Sequence, residues 1–269
     1  KMLMDFGIEP EEFKEKELLT WFKDVQLNQA TKITEGIFAP WAFYKKDFQE
    51  IGGHDPLYAP QSKEDSDIFN RFQLNGIKFK QTWGGCVYHM TCRGSRFADG
   101  AVRNPDGEVF MKNRETNEWL TQNQKATRNF IRKWGHFVKH DRFLKPIIPH
   151  KYDIGFIIKN CNINILTGLE PWCSNVYVNP DLIKSYVDIE QPNTIMDLYD
   201  RIKPYDNEKN NEILIRIDAE TLDPEDFQML QLLPEVIAES GEIGEFELGN
   251  MSIHIININT YEKDLICIS

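Results

Sequence analysis

The chain has no apolar run near the roughly 20 residues that cross a bilayer, which argues against a helical membrane span. Its opening, Lys1-Met2-Leu3-Met4-Asp5, lacks the basic-then-apolar pattern of a secretory signal. Basic residues are also in deficit: 31 Lys and Arg stand against 42 Asp and Glu, a formal net charge of -11. A general nucleic-acid binder needs the opposite balance to neutralise phosphates, so nucleic acid is not an expected partner. Five cysteines, Cys86, Cys92, Cys161, Cys173 and Cys267, are odd in number and scattered, which speaks against a disulfide framework and for a reducing, cytoplasmic setting. Internal repeats, low-complexity tracts and Gly/Ser linkers are missing too.

At 269 residues and 41% hydrophobic composition, the chain can bury a core and has room for two domains. Charge divides unevenly between them. Residues 93–145 hold 12 basic against 6 acidic side chains (+6), and residues 181–250 hold 5 against 18 (-13). This suits a first half that handles an anionic ligand and an acidic, solvated accessory unit, although ordinary solvated faces give the same count.

Hydrophobic spacing predicts an amphipathic helix over 10–25, since Leu18, Trp21, Phe22 and Val25 recur at i, i+3, i+4 and i+7. An apolar strand with a bend at Pro40 is expected over 36–44, then a short helix over 45–51 ended by Gly52-Gly53. Ser62 is the expected N-cap of a helix over 64–74, with Asn75-Gly76 as its stop. Strand segments follow at 77–83 and 86–90, and a polar loop carrying a small hairpin covers 91–116. A helix is expected over 117–134 with Gly135 as its end, and Pro146-Ile147-Ile148-Pro149 marks the boundary between domains at 1–145 and 151–269. Beyond it, strands at 153–158, 213–217, 243–248 and 252–258 and helices at 194–202 and 224–239 describe a small α+β domain.

The helix over 64–74 carries the chemistry. At 100° per residue, Asp65 shares a face with Ile68, Phe69 and Phe72, while Glu64 and Asp67 project to either side. Asp65 is therefore expected to point inward at a helix N-terminus, where free N–H groups and the helix dipole surround it. A carboxylate so placed suits a general base. First-turn acids are also common for the dipole alone.

Four pieces stand in a telling order: Gly36-Ile37-Phe38-Ala39; Phe48-Gln49-Glu50-Ile51-Gly52-Gly53-His54-Asp55; Lys63-Glu64-Asp65-Ser66-Asp67-Ile68 with Arg71; and Val87-Tyr88-His89. Together they resemble the C-terminal, acceptor half of inverting glycosyltransferases of the GT-A fold, family 2 in particular, over about a quarter of the chain. The resemblance implies an α/β fold, a partial GT-A-like domain followed by the α+β unit. Its implied reaction is transfer of a sugar from a nucleotide-sugar donor to a saccharide or other hydroxyl acceptor. Asp65 then acts as base with Glu64 beside it. Trp41, Tyr44, Gly52, Gly53 and Asp67 line the acceptor side, and His89 ligates a divalent cation, Mn or Mg, on the diphosphate. Arg93 and Arg96 would neutralise the leaving diphosphate, a task suited to the guanidinium fork.

The same resemblance requires a parallel βαβ half with an Asp-x-Asp motif upstream, and only about 35 residues precede Gly36. The expectation is a truncated piece of a longer enzyme whose exposed sheet edge favours self-association. A noncatalytic carbohydrate-binding or protein-interaction module is the alternative. Other constellations are weaker. Cys86, His89 and Cys92 lack a fourth zinc ligand, and His136 and His140 lack the glutamate of a zinc-hydrolase helix. The acids from Asp218 to Asp226 read as a helix start, with Asp223 as N-cap and Pro224 at the first position.

Overall fold

The computed structural model describes residues 4–7, 10–88, 102–103, 109–110 and 117–268. His89, Arg93, Arg96 and Cys92 lie outside the described residues.

The first half is helical and irregular. Helix α1 (Glu15–Gln29) follows a 3₁₀ turn at Pro10–Glu12. The expected strand over 36–44 does not form. Only β1 (Ile33–Thr34) is extended, pairing antiparallel with β2 (Gln81–Thr82), so most of the expected strand over 77–83 is absent as well. Gly36 explains part of this, because its backbone packs so tightly on Phe143 that a Cβ would lie 1.9 Å from that carbonyl oxygen. Residues 36–44 follow neighbouring loop backbone rather than a strand partner. Residues 86–88 are likewise unpaired, and the Tyr88 hydroxyl turns away to donate to the Gly7 carbonyl at 2.6 Å.

Helices fall close to the expected places. Helix α2 (Lys45–Glu50) ends at Gly52 and Gly53, with φ of +80° and +82°, a region glycine enters without steric cost. Helix α3 (Glu64–Leu74) stops at Asn75-Gly76. The hairpin expected in the polar loop is present as β3 (Val102–Arg103) against β4 (Val109–Phe110), and α4 spans Asn117–Trp134.

The main sheet lies entirely in the second half. Its strands are β5 (Ile154–Lys159), β6 (Asn175–Val178), β7 (Ile202–Pro204), β8 (Ile213–Asp218), β9 (Gly244–Leu248) and β10 (Met251–Ile255), in the order β7-β6-β5-β8-β10-β9. The first four are mutually parallel, and β10 runs antiparallel between β8 and β9. Helices α5 (Ile163–Leu169), α6 (Pro180–Glu190), α7 (Leu198–Arg201) and α8 (Pro224–Ser240) connect them. This is α/β winding, not the expected α+β unit. Of the helix expected over 194–202, the first four residues are an irregular lead, the next four form α7, and the last begins β7.

One sheet face forms the core. Ile154, Phe156, Ile158, Val176, Val178, Ile213, Ile215, Ile217, Ile253 and Ile255 pack with Leu166 of α5, Tyr186 of α6 and Leu230, Leu233 and Ile237 of α8. Buried aliphatic side chains of this size stabilise by about 1.5–3 kcal/mol each. The opposite face carries Arg216, Ser252, His254, Glu245 and Glu247 at its β8-β10-β9 end.

Helix α4 ties the halves together. Arg132, fully buried, donates to Glu170 at 2.7 Å and Glu190 at 2.5 Å, and Arg201 reaches Glu170 from the other side at 2.7 Å. Asn129 donates to both the Leu57 and Asn193 carbonyls. Buried charges persist only when paired and hydrogen-bonded, so these contacts fix how α4 sits on the sheet unit.

Candidate active site at the start of helix α3

Helix α3 lies between two small cores. On one side are Ile51, Ile68, Phe69, Phe72 and Phe79; on the other are Leu57, Tyr58, Phe130 and Trp134. Every residue from Asp67 to Phe72 is consequently buried. A wheel that assigns one inward face cannot describe a helix buried all round, and the inward acid proves to be Asp67. Asp65 sits beyond the packed turns, with part of its side chain in solvent and part covered by its neighbours.

Asp67 does not face an acceptor. It is 0% exposed and accepts from Arg71 Nε at 2.8 Å, Trp134 Nε1 at 3.0 Å and the Tyr58 hydroxyl at 3.4 Å, with Lys133 Nζ at 2.7 Å. Arg71, also 0% exposed, extends to the Ile51 and Gly53 carbonyls, both at 2.7 Å. Lys133 continues the chain of charges to Asp55 at 2.8 Å. The Gly52-Gly53 turn and the start of α3, distant in sequence, are thus bolted to one buried guanidinium whose fork matches two carbonyls and a carboxylate.

Above this floor the backbone is strained. Ser62 and Lys63 have φ of +83° and +73°, a conformation costing about 1–3 kcal/mol per non-glycine residue and concentrated at functional sites. Lys63, not Ser62, occupies the N-cap position, and lysine offers no acceptor to the first-turn N–H groups. The Ser62 hydroxyl and the Lys63 ammonium both donate instead to Asn123 Oδ1 of α4, at 2.9 and 3.1 Å. The N-terminus of α3 is left open, with its dipole directed at whatever lies before it.

Two carboxyl groups meet this open end. Partial burial raises the Asp65 pKa above the ordinary carboxylate value, with nearby His54 pulling the other way. Glu64 is half-buried, and its Oε2 is enclosed with no hydrogen-bond partner among the described residues. An enclosed, unsatisfied carboxylate oxygen calls for a donor. Burial lowers the pKa of Lys63 beside it, against the pull of Glu64.

The remaining expected residues separate. Trp41 stacks on Phe43 at 4.7 Å and meets Phe69 edge-on at 5.2 Å, so it serves the α3 core more than an open cleft. Tyr44 is 81% exposed. Gly52 lies against the C-terminal tail, where a Cβ would sit 3.3 Å from Ile268, while Gly53 faces the Phe48 ring. Shallow depressions of about 440 Å³ along α1 and 250 Å³ over Arg216 and Glu245 hold none of these residues. Sequence reasoning missed His54, Lys63 and Asn123. His54 and Lys63 stood in recognised stretches without a role; two consecutive left-handed non-glycine residues leave no compositional signal.

No family model, curated protein or solved structure matches the chain.

Proposed function

We propose that the chain is part of an inverting, nucleotide-sugar-dependent glycosyltransferase of GT-A type, residues 1–145 forming its acceptor side. The observation that carries this reading is Asp65 itself, a solvent-accessible carboxylate with a raised pKa on a helix end whose buried side is locked by Asp67 and Arg71. A base must be rigidly held yet reachable, and its efficiency grows as its pKa rises towards the working pH.

In the proposed reaction, Asp65 takes the proton of an acceptor hydroxyl as that oxygen forms a bond to the anomeric carbon of the donor. The bond from that carbon to the diphosphate breaks from the opposite side, the nucleoside diphosphate leaves with the electron pair, and configuration inverts. Glu64 helps to hold the acceptor or the base. Arg93 and Arg96 are assigned to the diphosphate. A divalent cation on the departing diphosphate would neutralise its charge. Among the described residues no three His, Cys, Asp or Glu side chains converge to hold one; the resemblance assigns it to His89.

The test is sugar transfer from a panel of nucleotide sugars, by this chain and by any longer natural form containing it. Asp65→Asn is expected to lower turnover by about 10²–10⁴-fold without weakening donor binding. Transfer at the parental rate removes Asp65 from the mechanism. A noncatalytic carbohydrate-recognition module is the second reading, favoured by the exposed aromatic rim of Phe38, Phe43 and Tyr44. Saccharide binding without transfer by any natural form would select it.

A further inference from the structure

The strand order of the main sheet leaves one side of β7 and one side of β9 unpaired among the described residues. Strand β7 is three residues long and includes Pro204, two features that blunt an edge. Strand β9 has five residues and no proline, and joins β10 through the two-residue turn Gly249-Asn250. Such a turn makes Leu248 and Met251 a hydrogen-bonded pair, and antiparallel alternation makes Phe246 and Ile253 the next. The N–H and C=O of Glu245 and Glu247 therefore point away from β10, and no other described backbone group pairs with them.

The two faces of this edge differ in chemistry. On the open sheet face, Glu245 and Glu247 are the outermost charges: His254 stands one strand in, 3.9 Å from Glu245, and Arg216 two strands in, across Ser252 from Glu247. On the core face, Phe246 and Leu248 are only partly covered. Helix α8 overlies them. At 100° per residue, Met229, Leu232 and Val236 fall within about 60° of one another on one flank of α8, and Phe227, which meets Trp172 edge-on, lies on the other. Met229 marks the first flank as the one above the edge, since its Sδ lies 3.3 Å from where a Cβ on Gly249 would stand. Met229, Leu232, Val236 and Ile243, just before β9, are between 36% and 59% exposed, so an apolar stripe lies open beside the free strand. Glu225 and Glu239, both exposed, border it.

We propose that β9 takes up an extended segment of a partner protein as a further antiparallel strand, one in which apolar and basic residues alternate. Free N–H and C=O groups at a sheet edge supply the affinity for an added strand, and the surfaces met by its alternate side chains select its sequence. The apolar set of the added strand continues the core face and covers Met229, Leu232 and Val236. Its basic set stands opposite Glu245 and Glu247, where unlike charges favour a cross-strand pair. A second copy of the chain is a poor occupant, because antiparallel pairing of two β9 strands through these groups sets glutamate against glutamate. This surface is independent of Asp65 and stands whether or not the chain transfers sugar.

Fluorescence anisotropy of the full chain with a labelled peptide alternating lysine and valine tests it. One control alternates glutamate and valine, and a second holds the same lysines and valines in separate blocks. At low salt the alternating lysine peptide is expected to bind with Kd of about 100 μM or tighter, roughly tenfold or more ahead of either control. Amide hydrogen exchange reads the mode: the N–H groups of Glu245 and Glu247 should be protected about tenfold or more when the peptide is bound. Glu245→Lys combined with Glu247→Lys should abolish that binding and shift preference to the glutamate peptide. Leu232→Ser should weaken binding about fivefold. Both variants alter exposed side chains and should keep Tm within about 2 °C. Absence of binding, equal binding of both lysine peptides, or binding that leaves the two amides unprotected overturns the proposal. A dimer of the chain whose β9 amides are already protected also overturns it, in favour of a second copy.

Discussion

Replacing Arg71 by methionine tests whether one buried guanidinium holds the candidate site together. The substitution keeps most of the side-chain volume and removes three hydrogen bonds: to Asp67 Oδ2 at 2.8 Å and to the Ile51 and Gly53 carbonyls at 2.7 Å each. Asp67 retains Lys133, Trp134 and Tyr58, so its charge is not abandoned. The two carbonyls lose their donor, at about 1–3 kcal/mol each. Breaking a buried pair by removing one partner costs about 3–5 kcal/mol, in line with that sum. For a chain of this size each kcal/mol moves Tm by about 2–4 °C, so thermal unfolding followed by circular dichroism should shift down by about 6–20 °C. Arg71→Lys should recover only part of this, because an ammonium cannot span two carbonyls and a carboxylate. A shift below about 2 °C for Arg71→Met would show that the Gly52-Gly53 turn is held by something else.

Buried His136 is pushed down to about 4, chiefly by desolvation, from an ordinary 6.5. The folded protein thus resists its protonation, and stability should fall by about 3 kcal/mol as pH drops from 6.5 to 4. Urea unfolding across that range checks it, and His136→Gln should flatten the slope. Burial opposes ionisation of Glu170, but Arg201 and Arg132 outweigh it and hold the carboxyl at about 2, below the usual 4.5. Its contribution, also about 3 kcal/mol, is present above pH 4.5 and lost towards pH 2, a window that Glu170→Gln should remove from the acid-unfolding profile. Gly155→Ala would drive a Cβ to 2.4 Å from Asn211 Oδ1 in the centre of the sheet and should cost about 1–3 kcal/mol in urea unfolding.

Helices were legible where spacing and terminators agreed. Asn117–Trp134 with Gly135, Glu64–Leu74 with Asn75-Gly76, and Pro224–Ser240 behind Asp223 carry both a 3.6-residue rhythm and a stop or cap. Strands β6 and β7 were not, being four and three residues long and without alternation that marks a face. Helix α6 was hidden because its inner face includes Glu190, which reads as a surface acid until Arg132 is placed against it.

At the site, sequence determined which residues stand at the helix start, because glycines, caps and periodicity act over a few positions. It also determined that the first-turn acids meet a positive helix end. Which acid turns inward was decided only in three dimensions. Periodicity describes a helix with one wet side, and α3 has none between Asp67 and Phe72 once α4 closes over it. The parallel winding after Ile154 was decided there as well, since pairing between strands tens of residues apart depends on contacts that no local pattern encodes.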